Sequence, residues 1–131
     1  MKQEDKELLL KDLSARLPYK CVYSASRGIT HWNKLILNID TITKLINNEY
    51  DDIKPYLRPM ESMTEEEKEE YEKLCILIPT QFDSDLQKYD YYTTDSMESF
   101  DWLLKNHFDV RNLIEKGLAI EVTEENNPYK E

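Results

Sequence analysis

Residues 53–78 read IKPYLRPMESMTEEEKEEYEKLCILI, and this stretch decides how the chain is divided. Pro55 and Pro59 lack the amide hydrogen that a β-ladder or a helix interior uses, so we expect regular structure to break there. Thr64 and Glu67 follow as T-x-x-E, a capping box in which each side chain satisfies the other residue's backbone donor. The sequence therefore predicts a helix that starts after Thr64.

This helix, predicted over residues 64–77, has one apolar and one acidic side. Its apolar residues recur at steps of three and four, the spacing of one helical face. They are Tyr71, Leu74, Cys75 and Ile78. Glutamates fill most other positions, where they favour the positive end of the helix dipole and keep the surface solvated.

Upstream, Glu4 to Leu17 has leucines at helical spacing, and Pro18 ends the predicted helix. Residues 19–57 are rich in β-branched and aromatic side chains, which predicts a small twisted antiparallel sheet of three to five strands, open or barrel-like. Asn47 and Asn48 tolerate positive φ and would close a hairpin. The alternative for residues 42–47 is one helical turn.

Downstream, residues 79–94 have no sustained period, and their tyrosines predict a short strand or a packed loop. Asp95 and Glu98 suggest a second helix cap, and Asp109 a third, before a short helix over 110–116. Gly117 would end that helix in a Schellman closure that packs Leu118 on Leu113. We expect a last strand at 119–122 and a frayed terminus beyond it.

Together these signals predict an α+β fold in a single domain over residues 1–131: an N-terminal helix, a small sheet, then two or three helices. The expected core residues are Leu9, Leu13, Leu17, Leu37, Leu74, Ile78, Phe100, Leu104, Leu113 and Ile114.

The net charge of −10 is unevenly distributed. Residues 1–60 hold ten Lys/Arg and eight Asp/Glu, whereas residues 61–131 hold seven and nineteen. This balance argues against a protein that binds duplex DNA, because such binding depends on Lys and Arg neutralising phosphates. It favours a basic protein partner for the second half.

No apolar run approaches the length of a membrane span, and the acidic start of MKQEDKELLLKDL is unlike a signal peptide. We therefore expect a cytoplasmic protein with no membrane partner. Cys21 and Cys75 lie outside any C-x-x-C motif and are expected to be small buried hydrophobes.

The common signatures of catalysis and cofactor binding are missing from the sequence. Two glycines, Gly28 and Gly117, are too few for a dinucleotide or phosphate loop. His31 and His107 lie outside metal-ligand motifs, and the acid pairs lack the glycine of a calcium loop. We therefore predict no catalytic residue, no metal and no cofactor, and no enzyme. A base role for His107, next to Asp109, is the remaining alternative.

Two surfaces are candidates for binding. The first is acidic and would dock a basic partner; its residues are Glu65, Glu66, Glu69, Glu70, Glu98 and Asp101. The second lies on the sheet, where aromatic and basic side chains suit stacking of unpaired bases or a peptide. Its residues are Tyr23, Arg27, Trp32, Lys34, Tyr56 and Arg58, with Tyr19, Tyr50, Lys20 and Lys54 nearby in the sequence. For both surfaces ordinary solvation or core packing is the simpler interpretation.

Three blocks of the sequence are distinctive: LLLKDLSARLPY at 8–19, IKPYLRPMESMTEEE at 53–67 and FDWLLKNHFDVRNLIEKGLAIE at 100–121. Together they resemble a family of small uncharacterised proteins from gut Bacteroidales and their phages and mobile elements. The resemblance implies a bacterial or phage cytoplasm and an accessory protein. The hypothesis we favour is a non-enzymatic protein-interaction module with an acidic face, and the alternative is single-stranded nucleic-acid binding through the sheet.

Overall fold

A computed structural model describes residues 1–130, except the side chains of Thr80 and of residues 89–92. The chain forms two compact units, and the second is inserted in the first: unit 1 comprises Met1–Ser62 and Leu104–Glu131, and unit 2 comprises Met63–Leu103. The prediction of one domain over 1–131 did not anticipate this division.

Unit 1 begins with helix α1, Gln3–Arg16, which Pro18 ends by turning the chain into a short 3-10 segment, Leu17–Tyr19. Leu9 and Leu13 are fully buried, as their spacing predicts. Asp12 and Arg16, which the helical pattern places among solvated positions, are also fully buried. Arg16 Nε donates to Asp12 Oδ2 at 2.7 Å, and Arg111 Nη1 donates to Asp12 Oδ1 at 2.9 Å. The two guanidinium groups thus satisfy a buried carboxylate, which otherwise would be costly.

The sheet of unit 1 is open and has the strand order β2-β1-β3-β6, with β1 at Val22–Arg27, β2 at Thr30–Ile36, β3 at Asp52–Leu57 and β6 at Ile120–Glu121. The α+β class is confirmed. Strands β1, β2 and β3 are antiparallel neighbours, but β6 pairs with β3 in parallel, so the sheet is mixed and does not close into a barrel.

The hairpin between β1 and β2 has a two-residue loop, Gly28-Ile29, because Arg27 pairs with Thr30. Gly28 adopts a φ of +60°, the left-handed conformation that glycine supplies at the first position of such a loop. Its amide donates to the Asp51 carboxylate.

Residues 39–46 form helix α2, Ile39–Ile46, so the strand predicted for this part of the sheet is wrong and the helical alternative for residues 42–47 is confirmed. Asn38 and Thr41 form a capping box at its start. At its end the Glu49 amide donates to Lys44 O at 2.9 Å, and the Asn48 amide to Leu45 O at 3.2 Å. Asn48 has a φ of +56°, which makes this a Schellman closure and not a hairpin turn.

The break predicted across Pro55 and Pro59 is present at Pro59, since β3 ends at Leu57, but it is wrong at Pro55, which lies inside β3 and is buried. Strand β6 pairs with β3 only at Tyr56 and Leu57, which leaves one side of the strand unpaired at Pro55. A proline is tolerated in a strand where its missing amide would face no partner strand.

The segment after Asp109 is a series of turns and not the predicted helix over 110–116. Asn112 has a φ of +56°, which interrupts a helix, and the Asp109 carboxylate accepts the amides of Leu113 and Ile114 at 2.9 and 3.0 Å. The predicted Schellman closure is present: the Leu118 amide donates to Leu113 O at 2.8 Å, and Gly117 has a φ of +75°.

The C-terminal residues are held against the sheet, so the prediction of a frayed end beyond residue 122 is wrong. Tyr129 Oη donates to Tyr56 O at 2.8 Å and accepts from the Val22 amide at 2.9 Å. The ladder between β1 and β3 ends at the pair Tyr23 and Pro55; Val22 precedes Tyr23, and Tyr56 follows Pro55. The Tyr129 hydroxyl therefore bridges the two strands where their ladder ends.

Unit 2 contains helix α3, Glu65–Leu74, a hairpin of β4, Ile76–Asp83, and β5, Lys88–Thr94, and most of helix α4, Met97–Lys105. The Thr64–Glu67 capping box is confirmed, but the helix ends at Leu74 because the next residues enter β4. The tyrosine-rich segment is a strand, and the side chains of Tyr89, Tyr91 and Tyr92 lie outside the described residues. The box that caps α4 is Ser96 with Ser99, not Asp95 with Glu98.

The core of unit 1 contains five of the predicted positions: Leu9, Leu13, Leu37, Leu104 and Leu113 are buried. Leu17 and Ile114 pack at its edge and are partly buried. The remaining three, Leu74, Ile78 and Phe100, are half-buried residues of unit 2.

Candidate functional site

The candidate site is a polar and aromatic cleft in unit 1 with a volume of about 630 Å³. We call it the unit 1 cleft. It lies between the face of β1 and β2 and helix α2, and the segment that follows α2 forms its rim. Its lining residues include Tyr23, Arg27, Trp32, Lys34, Lys44 and Tyr50. Four of the six residues predicted for the sheet surface, Tyr23, Arg27, Trp32 and Lys34, therefore converge there.

Two aromatic rings meet in this cleft. Trp32 lies opposite Ala25 on the neighbouring strand, and its ring centroid is 5.7 Å from that of Tyr50 at an interplanar angle of 66°. Edge-to-face pairs of this kind are favourable because the ring edge is positive and the face negative. Trp32 nevertheless remains 37% exposed, so part of the indole faces solvent in the cleft.

Tyr23 forms the floor of the cleft and is 4% exposed. The Thr41 hydroxyl donates to Tyr23 Oη at 3.0 Å, which links the sheet to α2. Burial raises the pKa of Tyr23, and although the bond to Thr41 acts in the opposite direction, the neighbouring Tyr50 raises it further. The Tyr23 hydroxyl is therefore a neutral hydrogen-bonding group at physiological pH.

The charges in the cleft are mixed, with a small positive excess. Arg27, Lys34 and Lys44 face Asp40 and Glu49. Lys44 Nζ lies 3.3 Å from Asp40 Oδ2, and this hydrogen bond raises the pKa of the lysine. Lys44 also lies 5.8 Å from the Tyr50 ring centroid. Among the described residues neither Arg27 nor Lys34 has a side-chain ion pair.

Lys34 has a left-handed φ of 57° in the middle of β2. The strand register shifts there, because Tyr23 pairs with Leu35 whereas Ala25 pairs with Trp32. The extra residue is a β-bulge, a device that redirects a side chain and often occurs next to functional sites. The bulge keeps Leu35 on the same face of β2 as Trp32, and Lys34, at the bulge, also lines the cleft.

Tyr56 and Arg58, the other two residues of the predicted sheet surface, do not line this cleft. Tyr56 is buried, 8% exposed, and its carbonyl accepts from Tyr129. The Arg58 guanidinium lies 4.2 Å from the centroid of the Phe108 ring, a cation–π contact. Both residues have packing roles elsewhere in unit 1.

The residues of the predicted acidic surface all lie in unit 2. Glu65, Glu66, Glu69 and Glu70 are exposed on α3, whose half-buried side includes Tyr71 and Leu74. Glu98 and Asp101 are exposed on α4, three residues apart and so on one side of that helix. The helices meet through Tyr71 and Trp102, with ring centroids 5.9 Å apart.

The junction of α3 and α4 is polar. The Tyr71 hydroxyl donates to the Asp95 carboxylate, and Ser96 Oγ donates to Leu74 O at 2.5 Å. Burial raises the pKa of Tyr71, and the Asp95 carboxylate adds to that shift. The two acidic helices are therefore held together by specific bonds within one unit.

Unit 2 also exposes apolar side chains next to its acids. Leu77, Leu86 and Met97 are 64%, 60% and 85% exposed, respectively. Leu77 lies on β4 and Leu86 in the hairpin loop. A two-stranded hairpin alone is marginally stable in water, and its exposed apolar side chains are available for contact with another molecule.

His107, the residue of the catalytic alternative, is packed in unit 1. Its ring stacks on Tyr129 with centroids 3.6 Å apart and an interplanar angle of 6°. Burial, together with the nearby Arg16 and Arg58 cations, lowers the pKa of His107 to about 4. Its Nδ1 is buried and has no hydrogen-bond partner among the described residues. A neutral ring in this environment is a poor candidate for a general base.

The remaining sequence candidates are one histidine and two cysteines. His31 is exposed on β2, and Cys21 and Cys75 are free thiols, buried and half-buried respectively. Burial raises the pKa of Cys21, so its thiol is a poor nucleophile. Within the described residues no group of three or more His, Cys, Asp or Glu is arranged to hold a metal ion.

Helix α2 and its cap contribute Asn38, Asp40, Thr41 and Lys44 to the cleft, and this contribution was not predicted. The β-branched residues of the segment favoured a strand. A signal was available: Asn38 and Thr41 form an N-x-x-T capping pair, and Thr41, Ile42 and Leu45 share one helical face.

Searches of protein-family models, curated proteins and solved structures found no match to this chain. None of the helices in residues 1–130 is long and apolar enough to cross a membrane.

Proposed function

We propose that this chain is a non-enzymatic interaction module in which unit 2 docks a basic protein partner. In this proposal it acts in the cytoplasm of a bacterial or phage-infected cell. The partner presents Lys or Arg side chains around an apolar patch.

The observation that carries the proposal is the segregation of charge between the units. Unit 2, Met63–Leu103, has twelve carboxylates against three lysines, a net charge of −9 in 41 residues. Unit 1 has fifteen carboxylates against fourteen Lys/Arg, a net charge of −1. Concentrated charge of one sign speeds association with an oppositely charged partner and selects its orientation.

A second observation supports the same surface. Because charge alone gives little affinity at exposed positions, a docking surface also requires apolar contact area. Leu77, Leu86 and Met97 supply exposed apolar side chains within the acidic unit. Unit 2 therefore combines electrostatic steering with a source of binding energy.

The proposal is tested with a synthetic amphipathic peptide of lysine and leucine, with its binding measured by calorimetry. Reversal of Glu66, Glu69 and Glu70 to Lys should weaken binding about tenfold, since each exposed pair contributes up to about 1 kcal/mol. The matched control reverses Glu4, Glu124 and Glu125, which are exposed in unit 1 and change the net charge equally. That control should bind almost as the parent does.

The apolar part is tested by Leu77→Ser combined with Leu86→Ser, and by a lysine–serine peptide of equal length. Both changes should weaken binding although all charges are kept. Equal affinity of the two triple-reversal variants would contradict the proposal, because it would mean that total charge and not unit 2 determines binding.

A further inference from the structure

The unit 1 cleft has a chemistry different from that of the acidic surface. We propose that it binds an unpaired base of a single-stranded nucleic acid, stacked on Trp32, with the adjoining phosphates held by Arg27 and Lys34. This site is in unit 1 and is independent of docking by unit 2.

Trp32 is placed to receive a base. Strand pairing with Ala25 and the contact with Tyr50 at 5.7 Å hold the indole in position, so little side-chain entropy remains to be lost on binding. A single edge-to-face contact covers at most one face of the ring, and 37% of the residue is exposed. Every base has a π-face that can stack on such a ring.

The three cations of the cleft differ in whether they form an ion pair. Lys44 is bound to Asp40 at 3.3 Å, whereas Arg27 and Lys34 have no side-chain ion pair among the described residues. Arg27 ends β1 next to the hairpin loop, and Lys34, at the bulge of β2, lines the same cleft as Trp32. An aromatic platform flanked by unpaired cations is the usual arrangement for single-stranded nucleic acid.

The size and charge of the site indicate a short contact. A volume of about 630 Å³ is within the range of small-ligand sites and accommodates about one nucleotide. With a net charge of −10, the rest of the chain repels a long polyanion. Two cations contacting two phosphates predict a slope of about −1.4 for the logarithm of the binding constant against the logarithm of salt concentration.

The test uses a fluorescein-labelled oligodeoxythymidine of eight nucleotides and measures anisotropy with the full chain at low salt. Trp32→Ala should weaken binding by about fivefold to a hundredfold, and Trp32→Phe, which keeps a stacking ring, should recover most of it. Arg27→Ala with Lys34→Ala should also weaken binding and flatten the salt slope. Lys11→Ala with Lys105→Ala, both exposed outside the cleft, should leave affinity and slope unchanged. Circular dichroism of each variant establishes that it is folded.

Three results would overturn the proposal. The first is no binding by the folded parent chain. The second is equal binding by folded Trp32→Ala. The third is binding of an octaglutamate peptide with the same affinity and salt slope, which would show that the cleft responds to charge and not to a base.

Discussion

At the residue scale, His107 and Tyr129 show how a single contact can depend on protonation. The imidazole is stacked under the Tyr129 ring, and burial with Arg16 and Arg58 nearby holds the pKa of His107 at about 4. In the unfolded chain the same group titrates near 6.5. Between these values the unfolded chain binds a proton that the folded chain does not, so folding becomes less favourable as the pH falls.

We therefore expect the free energy of unfolding to include a His107 contribution that is fully present above about pH 6.5 and decreases by about 1–2 kcal/mol by pH 5. Urea unfolding at pH 7 and pH 5 measures it. His107→Asn, which tolerates the positive φ of this position, should lose less stability than the parent over that interval. His31→Asn is the matched control. Parallel pH curves for parent and His107→Asn would contradict the assignment.

Tyr129 makes a second testable contribution through its hydroxyl. Tyr129→Phe keeps the stack on His107 but leaves the Val22 amide and the Tyr56 carbonyl without their partner. Leaving buried backbone groups unsatisfied should cost about 1–3 kcal/mol in the free energy of unfolding. Urea unfolding measures the loss, and hydrogen exchange should show reduced protection of the Val22 amide. Tyr19→Phe, whose hydroxyl has no hydrogen bond among the described residues, is the control; an equal loss there would refute this role.

At the element scale, α2 shows which parts of the fold can be predicted from local sequence and which cannot. The capping box of α3 and the closure at Gly117 depend on side chains or backbone conformations set by local sequence, and both were predictable. The β-branched run of α2 suits a strand equally well by propensity, and its burial against the sheet decides for a helix. Asn48 does adopt positive φ, but to end a helix.

The two ends of α2 give a prediction that separates a helix from a hairpin. Asn38→Ala removes the cap and should destabilise the protein by about 1 kcal/mol. Asn48→Val forces a β-branched residue into the left-handed region and should cost about 1–2 kcal/mol, whereas Asn47→Val should cost much less. Thermal unfolding measures all three. A type I′ hairpin loop would need positive φ at both asparagines, so equal costs at 47 and 48 would refute the helix end.

The residues of the candidate sites were partly predictable, where their positions follow from local sequence. Trp32 and Lys34 could be paired from their strand, and Arg27 from the adjacent turn. Tyr56 and Arg58 were included because their chemistry is similar, but a sequence does not show which neighbours cover a side chain. Asp12 and Arg16 were missed because their burial depends on Arg111, which is about a hundred residues away in sequence.

At the scale of the whole molecule, the two compact units carry different chemistry. The buried cluster of Leu9, Leu13, Leu57 and Leu113 belongs wholly to unit 1, as does the unit 1 cleft. The chain leaves and re-enters unit 1 close together, because the Arg58 amide donates to His107 O at 2.7 Å and the Asp109 amide to Arg58 O at 2.8 Å. A short linker can therefore replace the inserted segment.

We expect a variant in which a glycine–serine linker replaces residues 63–103 to fold cooperatively, since it retains this cluster and the four-stranded sheet. It should keep oligonucleotide binding, lose binding of the lysine–leucine peptide, and have a net charge near −1, because unit 2 carries −9 of the total. Chemical unfolding and the two binding assays measure these outcomes. Retained peptide binding would place the docking surface in unit 1, and loss of cooperative unfolding would mean that unit 1 depends on unit 2 for its stability.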